Sequence, residues 1–324
     1  MGKPFIGAIR WDAWHGDLDV PGRQMQMTLQ PEKYHYRLPY YTKFKQDGTL
    51  SISHVTQDEI DEEIRYAIEA KLDYFAFCMY ERGTPLALAR DKYLDSAIKD
   101  KPKWCAILGV SAFPRDEDVE WLYNEFTKPF YFCVAGNRPL VFLFDCNAKQ
   151  AEMVKKINSR CAEGNLPSPY YAAMGFDGVK LSEAARAVGA DALSAYTTAG
   201  ENGESYADNC KRERDRWDAF RNTGFPVLPW VTAGWDPRPR MDHIVPWAKY
   251  EDNSWAHVGD PEEIAGQLKR AVKYAGEYKC DANAVLIYAW NEFDEGGWLL
   301  PTLFELEREK EPVRINAIAR ALAE

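Results

Sequence analysis

The fold that this sequence predicts is an α/β barrel, (β/α)8, and three observations lead to it. Short apolar runs rich in β-branched and aromatic residues alternate with longer amphipathic segments along the chain. The alternation repeats eight times, which favours a closed barrel over a doubly wound sheet. The 324 residues, 46% hydrophobic and 28% charged, suit one barrel domain spanning 1–324, since such barrels run from roughly 200 to over 400 residues.

The first strand is the run 5–10. A long insertion, 11–55, follows it and holds the aromatic and basic stretch KYHYRLPYY at 33–41; in a barrel it would cover the C-terminal mouth. Thr56 opens the first outer helix, 57–70, through a T-x-x-E capping box with Glu59. Strand 74–80 leads to a helix at 85–99, with Pro85 at its first position. Strand 104–110 and helix 116–126 follow, then strand 140–145 and helix 150–163, strand 170–176 and helix 181–188, strand 192–197 and helix 206–222. The seventh strand, 227–231, precedes a second long connection, 232–259. Asp260 is then an N-cap before Pro261 and the helix 261–278, and the eighth strand, 284–290, is followed by a last helix, 313–323. The two largest decorations therefore flank strand eight once the barrel closes.

Composition excludes several classes. A formal charge of -10 without a Lys/Arg block argues against a nucleic-acid partner, and no segment approaches a membrane-spanning length. Seven Cys, an odd number without C-x-x-C spacing, read as reduced core thiols. The apolar run 4–9 after Met1 is too short for a signal peptide, which places the protein in the cytoplasm if Met1 is the native start and outside it if a signal peptide has been removed. Five scattered His without H-x-H or H-E-x-x-H predict no metal, the absence of G-x-S-x-G argues against a Ser hydrolase, and no Gly-rich loop calls for a nucleotide cofactor. The expected partner is a carbohydrate; the oligomeric state stays open.

Chemistry concentrates at the eighth strand. AWNEFDEGGW, 289–298, places Glu292, Asp294 and Glu295 within four residues of one another. Glycosidic cleavage needs two carboxyl groups with different tasks, one giving a proton and one acting as base or nucleophile. Crowded like charges beside apolar Trp290, Phe293 and Trp298 would hold at least one acid protonated near neutral pH. A solvated acidic turn would contain the same three acids, but barrel enzymes place their chemistry at the C-terminal strand ends. There the chain supplies Trp11, Asp12, Trp14 and His15 after strand one, Tyr80 and Glu81 after strand two and Tyr196 after strand six. Trp230, Trp235, Asp236 and Arg240 follow at strand seven, with Trp290, Asn291 and Trp298 in the motif itself. Gly296 and Gly297 permit a sharp turn that would bring Glu292 and Glu295 to one cavity. Asp294 is expected to support them, paired with an Arg from a neighbouring loop.

AWNEFDEGGWLLPT resembles the W-N-E-W-x-E-G…P signature of glycoside hydrolase family 99. GWDPRPR, 234–240, is similar to the W-D-x-x-x-R segment of bacterial family-99-like proteins of polysaccharide synthesis, as are GAIRWDAWHG, EIDEEIRYAIEAKLDYFAFCMY and YFCVAGNRPLVFL. The resemblance implies a barrel acting on α-mannosides with retention through a 1,2-anhydro sugar. Glu292 would take the proton of the 2-hydroxyl and Glu295 would serve as acid/base at the leaving oxygen. Phe293 stands where the family has Trp. The sequence thus predicts a retaining, metal-independent glycoside hydrolase acting on a poly- or oligosaccharide, with a glycan-binding barrel without turnover and a sugar transferase as the alternatives.

Overall fold

The computed structural model describes residues 2–323. Eight parallel strands form the barrel: β1 (Phe5–Arg10), β2 (Tyr74–Cys78), β3 (Lys103–Leu108), β4 (Arg138–Phe144), β5 (Tyr170–Met174), β6 (Ala192–Ser194), β7 (Trp230–Thr232) and β8 (Ala284–Tyr288). Their order, β7-β8-β1-β2-β3-β4-β5-β6, follows the sequence around a ring. β2, β5 and β8 are buried along their whole length, which is why these strands read as continuous apolar runs rather than alternating ones. The ring closes between β6 and β7 through a single parallel bridge, Leu193 to Val227, with Leu193 N donating to Pro226 O and Leu228 N to Leu193 O, both at 2.9 Å. Pro226 and Pro229 lack the N–H that a longer ladder here would use. That is the reason the seventh strand lies at Trp230–Thr232 although the apolar run begins at Val227.

The helices are α1 (Val20–Thr28), α2 (Gln57–Glu69), α3 (Leu88–Asp95), α4 (Asp116–Phe126), α5 (Ala148–Glu163), α6 (Gly178–Val188), α7 (Tyr206–Arg221), α8 (Arg238–Asp242), α9 (Pro261–Tyr278) and α10 (Val313–Ala323). The capping box at Thr56 with Glu59 and the N-cap at Asp260 are formed as expected, and Asp260 also makes a capping box with Glu263. Helix α3 is shorter than its sequence pattern: Pro85–Ala87 is a 3-10 turn, and the Lys101 ammonium donates to the carbonyls of Tyr93, Leu94 and Ser96 at 2.7, 3.2 and 2.9 Å. These contacts satisfy carbonyls that the next helical turn would otherwise bond. Among the described residues no helix is long and apolar enough to cross a membrane.

Two helices lie inside the long loops. α1 belongs to the insertion after β1 and starts at Asp19, whose carboxylate accepts from Gly22 N. α8 belongs to the connection after β7. The two loops meet over the eighth strand: the Arg37 guanidinium donates to Asp236 O at 2.8 Å and pairs with the Asp236 carboxylate, while Tyr34 donates to Asp242 at 2.6 Å. The insertion after β1 therefore covers part of the C-terminal mouth.

Candidate active site

The motif leaves the barrel by a tight sequence of turns. Asn291–Glu292 pairs antiparallel with Gly297–Trp298, and Phe293–Glu295 between them is a single 3-10 turn. Residues three apart superpose in such a turn, so Glu292 and Glu295 come to one side. Gly296 closes the turn at φ 85°, and a Cβ there would lie 2.6 Å from Asp236 N. A Cβ on Gly234 would lie 2.1 Å from Gly296 O, and Asp236 N donates to Glu295 O at 2.6 Å. Both glycines thus permit backbone-to-backbone packing of the strand-seven loop on the acids.

Arg240 is the centre of the site. Its Nε donates to Asp294 Oδ2 at 2.6 Å and its Nη2 to Asp294 Oδ1 at 3.0 Å, a bidentate fork. Nη1 reaches Glu295 Oε1 at 2.5 Å, and Nη2 reaches Glu292 Oε2 at 3.1 Å. Asp294, Glu292 and Glu295 are 0, 2 and 5% exposed, with Arg240 at 4%. One guanidinium therefore faces three buried carboxylates, and the cluster is short of positive charge. Burial, with Glu295 adding to it, pushes Glu292 well above the usual carboxylate range, and burial also raises Asp294 against the pull of Arg240. Desolvation would lower Arg240, but the carboxylates outweigh it and hold the guanidinium charged.

Tyrosines complete the wall. Tyr288 and Tyr250 both donate to the Glu295 carboxylate, and Tyr196 donates to Glu292 Oε1 at 3.1 Å. Tyr196 and Tyr288 rings lie 5.3 Å apart, and Trp235 packs on Tyr288 and Tyr250 at 5.8 and 6.0 Å. Arg240 sits 5.2 Å from the Trp11 ring, whose Nε1 donates to Tyr80 at 2.7 Å and which packs on half-exposed Trp247 at 6.0 Å. Of the residues that the sequence singles out, Glu292, Glu295, Asp294, Arg240, Tyr196, Trp235, Trp11 and Tyr80 gather here.

A second buried cluster stands behind the motif. Arg10 pairs with Asp12 and Glu63, each at 2.8 Å, and Glu63 also accepts from His54 at 2.7 Å and from Trp290 Nε1. Asn291 donates to Asp12 at 3.2 Å and accepts from Trp11 N at 3.3 Å, while Trp14 Nε1 donates to Asn291 O at 2.7 Å. Burial alone would raise Glu63, but Arg10 and His54 bring it below the usual range. Asp12 is raised by burial despite Arg10.

The remaining predicted contacts lie away from the acids or behind them. Trp230 and Trp290 are fully buried, so neither presents a ring face; Trp230 packs on Trp217 and Phe220 of α7 and donates to Thr198. Trp298 is pinned between Phe293 and the Arg314 guanidinium, 3.9 Å from its ring centre. His15 is buried against Asp19 at 2.6 Å and supports α1. Asp236 is held below its usual range, its burial outweighed by Arg238 and Arg37. Glu81 is exposed and pairs with Arg115 at 3.0 Å. Tyr288, Tyr250 and Glu63 were not singled out by the sequence. Glu63 carries a signal: it shares the buried stripe of α2 with Ile60, Ile64 and Ala67.

Two solved structures of GH99 endo-α-mannosidase from Bacteroides thetaiotaomicron are similar to this chain. One, in complex with BIS-TRIS-propane, matches with a TM-score of 0.63 and 16% identity over 98% of this chain and 96% of that one. The other matches with a TM-score of 0.61 and 16% identity over the same shares. The GH99-like barrel fold is therefore shared with glycoside hydrolases. No protein-family model and no curated protein matches the chain.

Proposed function

We propose that this protein is a retaining, metal-independent glycoside hydrolase acting on a poly- or oligosaccharide, with Glu292 and Glu295 as its catalytic pair. The observation that carries this reading is their placement on one side of a 3-10 turn, bridged by Arg240, with Glu292 driven up by burial and by Glu295. A carboxyl driven toward its protonated form beside a second carboxyl can divide acid and base tasks with it. The position where a metal ion would neutralise three carboxylates is filled by a guanidinium.

In the order that the family resemblance implies, Glu292 takes the proton of the sugar 2-hydroxyl, O2 attacks the anomeric carbon, and the bond to the leaving oxygen breaks as Glu295 protonates it. Water then opens the 1,2-anhydro ring: Glu295 takes the water proton, and O2 recovers its own from Glu292. The solved neighbours are endo-α-mannosidases, so α-mannosides are the first substrates to screen. On a substrate so found, Glu295→Gln is expected to lose on the order of 10²- to 10⁴-fold in kcat; full activity would remove Glu295 from the mechanism. An aryl glycoside with a good leaving group should restore Glu295→Gln and not Glu292→Gln. Recovery in Glu292→Gln instead would exchange the two roles, an order that the raised Glu292 favours.

The second reading is a barrel that binds glycan without turnover. It is supported by Arg240, which is bonded to both acids. In that case the protein would hold its oligosaccharide intact over a long incubation, and Glu292→Gln would leave affinity unchanged.

A further inference from the structure

Beside the acid pair, at the C-terminal ends of β4, β5 and β6, lies a cavity of about 430 Å³. Phe144, Met174, Phe176, Leu181, Ala184 and Tyr196 form most of its wall. This volume is within the roughly 300–1,000 Å³ of small-molecule sites. It joins the acids through one residue: the Tyr196 hydroxyl donates to Glu292 at 3.1 Å, while its ring packs edge-on to Phe144 at 5.5 Å. A group held in the cavity is therefore separated from the acid pair by a single tyrosine ring.

The polar side chains of the cavity are either engaged or exposed at its rim. Asp177 caps α6, accepting from Val179 N and Lys180 N, both at 3.0 Å. Asp145 and Lys180 are exposed at the rim. A sugar ring brings a hydroxyl on most of its carbons, and each one buried without a partner loses its bonds to water. An apolar group meets no such cost here. Phe176, 56% exposed, has the Arg216 guanidinium 5.7 Å from its ring centre and leaves much of the ring uncovered at the cavity.

We infer that this cavity receives an apolar aglycone, an alkyl or aryl group attached through the anomeric oxygen of the substrate, so that the protein acts on glycoconjugates with an apolar leaving group. The inference rests on the glycosidase reading, but its test has an arm that needs no turnover. 4-Methylumbelliferone alone, followed by its fluorescence, should bind saturably to the wild type, about tenfold more weakly to Ala184→Glu, and equally well to Glu295→Gln. Phe176→Ala, at an exposed position, should weaken it roughly three- to tenfold, the range of one lost aromatic contact, and gives the answer even if Ala184→Glu does not fold. Binding that is absent, or equal in the wild type and both cavity variants, overturns the proposal.

The turnover arm compares methyl and octyl glycosides of one sugar. Octyl should be favoured in kcat/KM by roughly two- to fourfold for each methylene that enters the cavity, and Phe176→Ala should reduce that preference. Equal kcat/KM for the two glycosides also overturns the proposal. If no glycoside is cleaved while 4-methylumbelliferone binds in the pattern above, the glycosidase reading fails and the cavity stands as an apolar site.

Discussion

Two of the buried arginines at the mouth of the barrel, Arg10 and Arg240, are surrounded by carboxylates, and Glu63 beside the first behaves differently from Glu292 beside the second. Arg10 faces Asp12 and Glu63, and Glu63 has additional donors in His54 and Trp290. Arg240 faces three carboxylates. In the first cluster Glu63 is held below its usual range; in the second Glu292 is driven well above it. Both are buried, but Glu63 meets Arg10, His54 and Trp290 where Glu292 shares one guanidinium with two other acids; Asp12, which burial and then Glu63 push up, stays raised even beside Arg10. The Arg10 cluster, whose Glu63 is bonded from β1, from the loop before α2 and from the motif, ties these elements together as structure. The Arg240 cluster, shorter of positive charge, favours the protonated form of Glu292, which is what the proposed acid and base chemistry requires.

Removal of each cation is the strongest way to break this comparison. Arg240→Met leaves three buried carboxylates uncompensated and is expected to cost about 3–5 kcal/mol of stability at pH 8. Without the guanidinium their proton affinities rise, so the loss should shrink as the pH falls to 5 and the carboxylates take up protons. Urea denaturation at the two pH values checks this, and a loss independent of pH would mean that packing rather than charge holds the site. Arg10→Met should cost less, toward about 3 kcal/mol, because His54 and Trp290 remain on Glu63.

A third buried carboxylate tests the same rule with no bonded cation. Glu213, on α7, accepts from Thr232 N at 2.9 Å and Gln267 Nε2 at 2.8 Å, and burial raises it from 4.5 to about 7. The folded state thus binds its proton more tightly than the unfolded chain does. Its contribution is fully present below pH 4.5 and is lost as the pH rises to 7, by about 3 kcal/mol in all. Glu213→Gln should flatten this part of the stability-versus-pH curve. An unchanged slope between pH 4.5 and 7 would assign it to other groups.

Much of this was legible in the chain because alternating strand and helix patterns are strong, local signals. β1, α4, α9 and α10 have the bounds that the sequence predicts. The strand-eight motif and Arg240 were legible too, the acids from their crowding and Arg240 from its place after strand seven. What was missed lacked a local pattern that separates it from core or loop. Tyr288 sits in a strand buried on both faces, where no alternation separates a site tyrosine from a core one. α1 contains Pro21 and Gly22, which weaken its helical pattern; Gly22 is required because a Cβ there would lie 2.3 Å from Gly16 O. Trp230 and Trp290 read as candidate substrate contacts from their place at strand ends, yet their rings are buried in the core.

The tyrosines give the smallest effects and the sharpest view of the proton. Tyr288→Phe removes a buried donor from Glu295 and should cost roughly 1.5–3 kcal/mol, and Tyr250→Phe less, since Tyr250 is partly exposed. Tyr196→Phe should hardly change stability. Its hydroxyl lowers the proton affinity of Glu292, against the burial that raises it, so without it Glu292 is driven higher still. If Glu292 must be ionised to take the 2-hydroxyl proton, the acid limb of kcat/KM should move to higher pH, by less than about one unit for a single neutral hydrogen bond. A shift of the alkaline limb instead would make Glu292 the proton donor, and an unmoved profile would leave Tyr196 as a wall of the cleft with no part in placing the proton.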